Sequence, residues 1–299
     1  MRKPFHIPIS EENCGKYVLL PGDPARVDKI SRIFCNKSGA IPMTINGEDE
    51  LKNREFCVRN VKVNGELVSI ISTGIGGPST AIAIEELLEL GAHTFIRVGT
   101  TGAIQPYIKE KSVIITSGAV RYEGTSAHFA PLSFPAYANP MVTMALLSAS
   151  YTLKAKNPFE TWIGTTICSD TFYQGQNRKD TFAGYIPNHI IKMNEWQKLG
   201  VLNYDMESSI VLLMGTIFGG RAGVITGVLI NRTQNEIPDE EIIEEVENIT
   251  IEIANNAIVK IIEWDKKGSI EINIPNLWSP SNIVVRTLLK EYKKRTRSD

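Results

Sequence analysis

The chain has 299 residues, with 32 basic and 33 acidic side chains and a formal charge of −1 at neutral pH. That balance excludes the electrostatic footprint of a dedicated nucleic-acid binder, and 42% hydrophobic against 22% charged residues excludes general disorder. A chain this long hides roughly three quarters of the surface its unfolded form exposes, so core size is no constraint.

Met1 to His6 carries two cations with no apolar run behind them, so no secretory signal is expected. The longest apolar stretch, about Ile210 to Gly220, stops at Arg221 and is too short to span a bilayer, so no membrane partner is expected. Cys14, Cys35, Cys57 and Cys168 are scattered, without a C-x-x-C pair or a histidine at metal-ligand spacing. They read as four buried, unpaired thiols in a cytoplasmic protein.

In chain order, Tyr17 to Leu20 is a short strand, cut by Pro21-Gly22-Asp23-Pro24, where Asp23 caps a helix and Pro24 opens it. Arg54 to Val63 and Glu66 to Ser72 flank Asn64-Gly65, a strong hairpin signal. A glycine-rich loop, Thr73 to Pro78, leads to a helix capped by Ser79, with Ala81, Ile84, Leu87 and Leu88 on one stripe and an end at Gly91. Thr94 to Gly99, Ser112 to Val120, Trp162 to Cys168 and Ala222 to Ile230 are further strands. Helical spacing fits Met141 to Leu153, His189 to Leu199, Met206 to Gly219 and Glu240 to Trp264. The alternation means an α/β fold, with a largely parallel, mixed sheet covered by helices on both faces.

The loop Gly74-Ile75-Gly76-Gly77-Pro78-Ser79 falls short of a dinucleotide fingerprint at its last position and lacks the Gly-Lys-Ser/Thr of a P-loop, so it reads as a tight strand-to-helix turn. Arginines at strand ends say more. Arg97 sits inside an apolar strand, where a guanidinium is costly unless paired or facing a ligand, and Thr100 follows at the strand's carboxyl end. Arg232 repeats the situation after Ile230, and Arg26 stands where a helix start already favours an anion. Each alone could be an internal salt bridge; three beside glycine turns favour an oxyanion site, phosphate first. Ser169 to Arg178 combines an aromatic face (Phe172), an amide (Gln176) and a cation (Arg178), the groups that hold a flat heterocycle, although a polar surface loop has the same composition. Asp205 and Glu207, two apart on a helix, would point to opposite sides and share a site only if the segment is extended.

Leu20 to Val27, Ser72 to Thr80 and Arg97 to Pro106 together resemble the nucleoside phosphorylase-I family, and Ser169 to Arg178, Met206-Glu207-Ser208 and Asn231 to Pro238 resemble its uridine-cleaving bacterial branch. The likeness runs from about Phe5 to about Trp264. It implies a single-domain, three-layer α/β/α fold over 1–264 with a central mixed, partly barrel-like sheet, and a C-terminal extension, 265–299, of unknown role. It also implies reversible phosphorolysis of uridine to uracil and ribose 1-phosphate, with no required cofactor, by a homo-oligomer that is at least a dimer and fits a hexamer built as a trimer of dimers.

Carried over by motif, Gly22, Arg26, Arg97 and Thr100 match the phosphate site, joined by Arg54 from a neighbouring subunit. Met206 and Glu207 match the ribose site, with Phe5 and His6 lent across the same interface. Phe172, Gln176 and Arg178 match the uracil site, with Leu229, Ile230 and Arg232 around it, and Arg178, Glu207 and Arg97 carry catalysis. Glu55, Ile75 and Ser79 match a potassium site at the dimer interface. Three departures stand out: Asp205 where the family has glutamate, a longer Ile41 to Leu51 stretch, and the tail with its basic end, Lys290 to Arg297.

Overall fold

A computed structural model describes residues 4–155, 158–178, 181–234 and 237–268. In chain order the described elements are β1 (Tyr17–Pro21), α1 (Ala25–Ser38), β2 (Ile41–Met43), β3 (Leu51–Asn53), β4 (Phe56–Val63), β5 (Glu66–Ile71), α2 (Gly77–Glu89), β6 (Thr94–Ala103), β7 (Val113–Tyr122), β8 (Ala136–Tyr137), α3 (Pro140–Lys154), β9 (Thr161–Ser169), α4 (Met193–Lys198), β10 (Asn203–Asp205), α5 (Ser208–Ile217), β11 (Arg221–Asn231) and α6 (Glu240–Lys267).

These strands form one mixed sheet whose path runs β10–β9–β7–β11–β6–β1–β5–β4–β2, with β10 also pairing antiparallel to β6. The extra pairing closes β6, β11, β7, β9 and β10 into a barrel, while β1, β5, β4 and β2 stay an open wing. At the centre, β6 runs parallel to both β1 and β11, which set Leu20 and Val224 on either side of Arg97. Helices α1, α3 and α6 bury Ile30, Phe34, Leu146, Ile258 and Ile262 on one face, and α2 and α5 bury Ile84, Leu87, Ile210 and Leu213 on the other. This is the three-layer, partly barrel-like arrangement expected from the sequence.

Local chemistry explains where elements begin. The β4–β5 turn puts Asn64 and Gly65 at φ 49° and 80°, the positive values a type I′ hairpin needs. Contrary to the sequence reading, Ser79 does not cap α2. The helix begins at Gly77, and the Ser79 hydroxyl donates back to the Ile75 and Gly76 carbonyls from inside the first turn. The 189–199 helix shrinks to α4, because the Ile190 N–H closes a turn on Pro187 and the Ile191 N–H goes to the Tyr122 hydroxyl. Helix α5 starts at Ser208 rather than Met206, because the Asp205 carboxylate accepts both the Ser208 N–H and its hydroxyl, as a capping residue does.

Past Trp264, α6 continues to Lys267. Asp265 accepts two N–H groups of Arg221 (2.8 and 2.6 Å) and the Tyr17 hydroxyl (2.8 Å), which ties the helix end to the first residues of β1 and β11. The rest of the extension, 269–299, lies outside the described residues. Only Cys57 and Cys168 are buried; Cys14 and Cys35 pack against the core but stay partly exposed, and all four thiols are unpaired. Among the described residues no helix is long and apolar enough to cross a membrane, and no group of three or more His, Cys, Asp or Glu could hold a metal ion.

Candidate active site

A cavity of about 550 Å³ opens where β1 and β6 end, facing the loops after β9 and β11. At one end, Gly22-Asp23-Pro24 turns the chain from β1 into α1, with the Asp23 carboxylate accepting the Ala25 N–H at 2.9 Å. Arg26, in the first turn of α1, lines the same wall; its Nε donates to Glu247 (2.8 Å) and its Nη2 to the Thr100 hydroxyl (3.3 Å).

Arg97 reaches this wall from the middle of β6. Its Nε and Nη2 donate to Asp205 at 2.9 and 2.6 Å, and Nη2 also contacts Glu207 at 2.5 Å. The guanidinium folds over Gly99, where a Cβ would stand 2.9 Å from Nη2, so only glycine leaves its path open. Nη1 is buried without a hydrogen-bond partner among the described residues, and it lies 3.8 Å from where a Cβ on Gly22 would be. A buried N–H lacking an acceptor, set against a glycine, is a donor that can serve an oxyanion.

Asp205 and Glu207 therefore share one site, on the same arginine. The helical geometry that would separate them does not apply, because Asp205 ends a strand and α5 begins only at Ser208. Their environments drive them apart. Burial alone would raise both, but the bidentate Arg97 contact and the Ser208 donors hold Asp205 down, at about 2. Burial pushes Glu207 up to about 7, opposed by Arg97 and the Gly76 N–H (2.5 Å) and helped by the neighbouring Asp205 charge.

A raised carboxyl is protonated more readily in the folded state than in the unfolded chain. Its contribution to stability is therefore complete below 4.5, the ordinary value, and is lost as pH rises through about 7. Glu207→Gln is expected to remove that decline, and an infrared difference titration against the wild type is expected to show a protonated carboxyl disappearing near pH 7. A midpoint in the ordinary carboxylate range would contradict it.

The same cavity is lined by Phe172, Gln176, Arg178, Leu229 and Ile230. Arg178 is buried with its Cζ 3.7 Å above the Phe172 ring centroid, a cation–π contact. One face of the ring offered to a flat heterocycle is thus taken by the guanidinium. Arg232 does not line the cavity. Fully buried behind it, Arg232 donates from Nη1 to the Gln176 carbonyl at 2.6 Å and lies 5.2 Å over the Tyr204 ring. That route depends on Gly102, where a Cβ would come within 2.8 Å of Arg232 Cδ. Met206 also lines the cavity.

Three sets of residues stand outside this cavity. Arg54 is exposed in the β3–β4 turn at φ 56°. Phe5 and His6 sit in a separate recess against α2, where Glu86 accepts the Phe5, His6 and Ile7 N–H groups (3.1, 3.0 and 2.7 Å) and contacts His6 Nδ1 at 2.9 Å. Glu55 and Ser79 flank Gly74, where a Cβ would meet Glu55 Cγ at 3.0 Å and Ser79 Oγ at 3.3 Å, and the Ile75 carbonyl lies 3.4 Å from the same hydroxyl. Asn235 and Glu236, inside the motif that follows β11, are outside the described residues.

The residue reading missed Tyr204, Thr101 and Pro238 as cavity lining, and Glu247 as the partner of Arg26. Tyr204 was signalled by its place one residue before Asp205, and Thr101 and Pro238 by the motifs Arg97 to Pro106 and Asn231 to Pro238 that contain them; Glu247 carries no local mark. Among the described lining residues there is no serine, cysteine, lysine or histidine. The cavity is lined by three arginines and three carboxyl side chains, and its hydroxyls are those of Thr100, Thr101 and Tyr204.

The sequence fits the family model of the phosphorylase superfamily over residues 16–263. It is 42% identical over 261 residues to the uridine phosphorylase of Escherichia coli (strain K12), covering 86% of this chain and 98% of that one. Identity to the uridine phosphorylase of Haemophilus influenzae is 43% over 256 residues, covering 85% and 96%. With the uridine phosphorylase of Thermococcus kodakarensis it is 38% over 268 residues, covering 88% of each.

Proposed function

The chain belongs to the phosphorylase superfamily, and from that premise we propose that this cavity carries out the phosphorolysis of uridine, releasing uracil and ribose 1-phosphate. The observation that supports it most is the set of cations gathered in one cavity, with the unpartnered Arg97 Nη1 and Arg26 beside the Gly22 turn and Arg178 stacked on Phe172.

A phosphate oxygen attacks C1′ of the ribose while the bond from C1′ to N1 of uracil breaks and its electron pair leaves with the base. Positive charge grows on the sugar and negative charge on uracil. Phosphate is itself the nucleophile, so the protein supplies position and electrostatic stabilisation. Gly22, Arg26, Arg97 and Thr100 hold the phosphate, and Arg54 from a neighbouring subunit completes the set. Met206 and Glu207 hold the ribose, with Phe5 and His6 lent across the same interface. Gln176 and Arg178 hold uracil against Phe172, Leu229 and Ile230, with Arg232 bracing Gln176, and Arg178 stabilises the charge on the departing base.

Arg54, Phe5 and His6 stand outside the cavity of their own subunit, which supports an oligomer, at least a dimer and, by family resemblance, a hexamer. Glu55, Ile75 and Ser79 would hold a potassium ion at that interface as a structural charge, with no part in bond breaking. The setting is pyrimidine salvage in the cytoplasm. Turnover of uridine against inosine at saturating phosphate tests the base assignment: uridine is cleaved and inosine is left intact. The reverse preference would overturn it.

A further inference from the structure

We propose that Glu247, on α6, is a positioning residue for phosphate: it fixes the Arg26 guanidinium so that its remaining N–H groups face the anion. This rests on the phosphorolytic reading above. Arg26 is a long, flexible side chain, and two contacts orient it. One is the 3.3 Å bond to Thr100, which is long. The other is the 2.8 Å charge-assisted bond from Nε to Glu247 Oε1, which is short and strong. Lys29 holds the second oxygen of Glu247 at 2.9 Å, so the carboxylate cannot swing away, and both ends of the Arg26–Glu247 pair are largely buried. Burial and the two cations keep the carboxyl charged: burial alone would raise it, but Arg26 and Lys29 hold it below the ordinary value.

Glu247 is also tied to the cavity through its own helix: Pro238, which lines it, directly precedes the α6 cap Asp239, and Glu247 stands two turns further along.

Two roles for Glu247 make opposite predictions. If it acted through its field, its negative charge would repel phosphate and removing the charge would tighten binding. If it positions Arg26, reach matters more than charge. Glu247→Asp keeps the charge but withdraws the oxygens by one methylene; Glu247→Gln keeps an oxygen in reach of Nε and loses the charge.

The experiment measures KM for phosphate and for uridine in the wild type, both variants and Lys29→Met, with the dissociation constant of inorganic phosphate by calorimetry. Glu247→Asp is expected to raise the phosphate KM and dissociation constant about tenfold, as loss of one charge-assisted hydrogen bond would. Glu247→Gln is expected to stay within about threefold, with uridine KM unchanged in both. Lys29→Met, which releases the second oxygen of Glu247, is expected to raise the phosphate KM in the same direction as Glu247→Asp and by less. An unchanged phosphate KM in Glu247→Asp, or a larger rise in Glu247→Gln than in Glu247→Asp, overturns the proposal. Wild-type cleavage that ignores phosphate would instead overturn the phosphorolytic reading itself.

Discussion

Arg97→Ala is expected to abolish measurable phosphate-dependent turnover and to lower folding stability by about 3–5 kcal/mol, the cost of stranding a buried charge. The stability loss follows from Asp205. That carboxylate is 5% exposed, accepts two N–H groups from Arg97, and stays ionised because of them. Glu207 is spared the same penalty because its carboxyl is held near 7 and takes up a proton more easily. The loss of function follows from Nη1, which serves no internal partner among the described residues and faces the Gly22 turn.

The two effects separate in a second variant. Arg97→Met combined with Asp205→Asn removes both charges and is expected to regain most of the stability without regaining turnover. Denaturant unfolding and phosphate calorimetry read the two quantities independently. Recovery of phosphate binding in the double variant would show that Arg97 serves only to neutralise Asp205.

Arg178→Ala is expected to lower kcat by about 10²–10³, comparable to the loss of one preorganised donor to a developing anion, with a smaller change in uridine KM. The reason is where charge develops. In the substrate the uracil carbonyl is neutral, and the full benefit of a nearby guanidinium arrives only as the C1′–N1 bond breaks. The same argument predicts a smaller loss with a uridine whose base carries an electron-withdrawing 5-substituent, because a more acidic base needs less help to leave. Equal losses for both substrates would assign Arg178 to binding alone. The contact between Arg178 and Phe172 adds a geometric condition: the guanidinium covers one ring face, so uracil and Arg178 must divide the two faces or exchange places.

How far the sequence announced this arrangement depends on the range of the interaction involved. The Asn64-Gly65 hairpin, the β6 strand around Arg97 and the helix begun at Asp23 rest on contacts a few residues apart, and their residues show it. Strands β2, β3, β8 and β10 have two or three residues each, too few for a period to be read, and they exist only because longer neighbours offer free ladder groups. That limit hid the closing strand of the barrel. Once β10 is seen to pair with both β9 and β6, Asp205 and Glu207 fall naturally on one arginine.

Long-range partners were the least legible. Nothing near Glu247 marks it as a ligand of Arg26, 221 residues away. It stands beside Val246 and one turn from Thr250 on the buried side of α6, which is the position where an acid calls for explanation. Arg232 shows the converse. As a strand-end arginine it reads as a ligand contact, yet its guanidinium turns behind the cavity over Gly102 to hold the Gln176 backbone. Residue type alone does not separate a contacting cation from a bracing one.

The central claim is that inorganic phosphate is the nucleophile, and the fate of the phosphorus tests it most directly. Uridine and inorganic phosphate incubated with the protein are followed by phosphorus NMR and by ultraviolet absorbance at alkaline pH. The account predicts uracil and a sugar-phosphate resonance appearing in equal amounts, and no uracil when phosphate is omitted. Uracil released at the same rate without phosphate, with the phosphorus signal unchanged, would contradict it and make water the nucleophile.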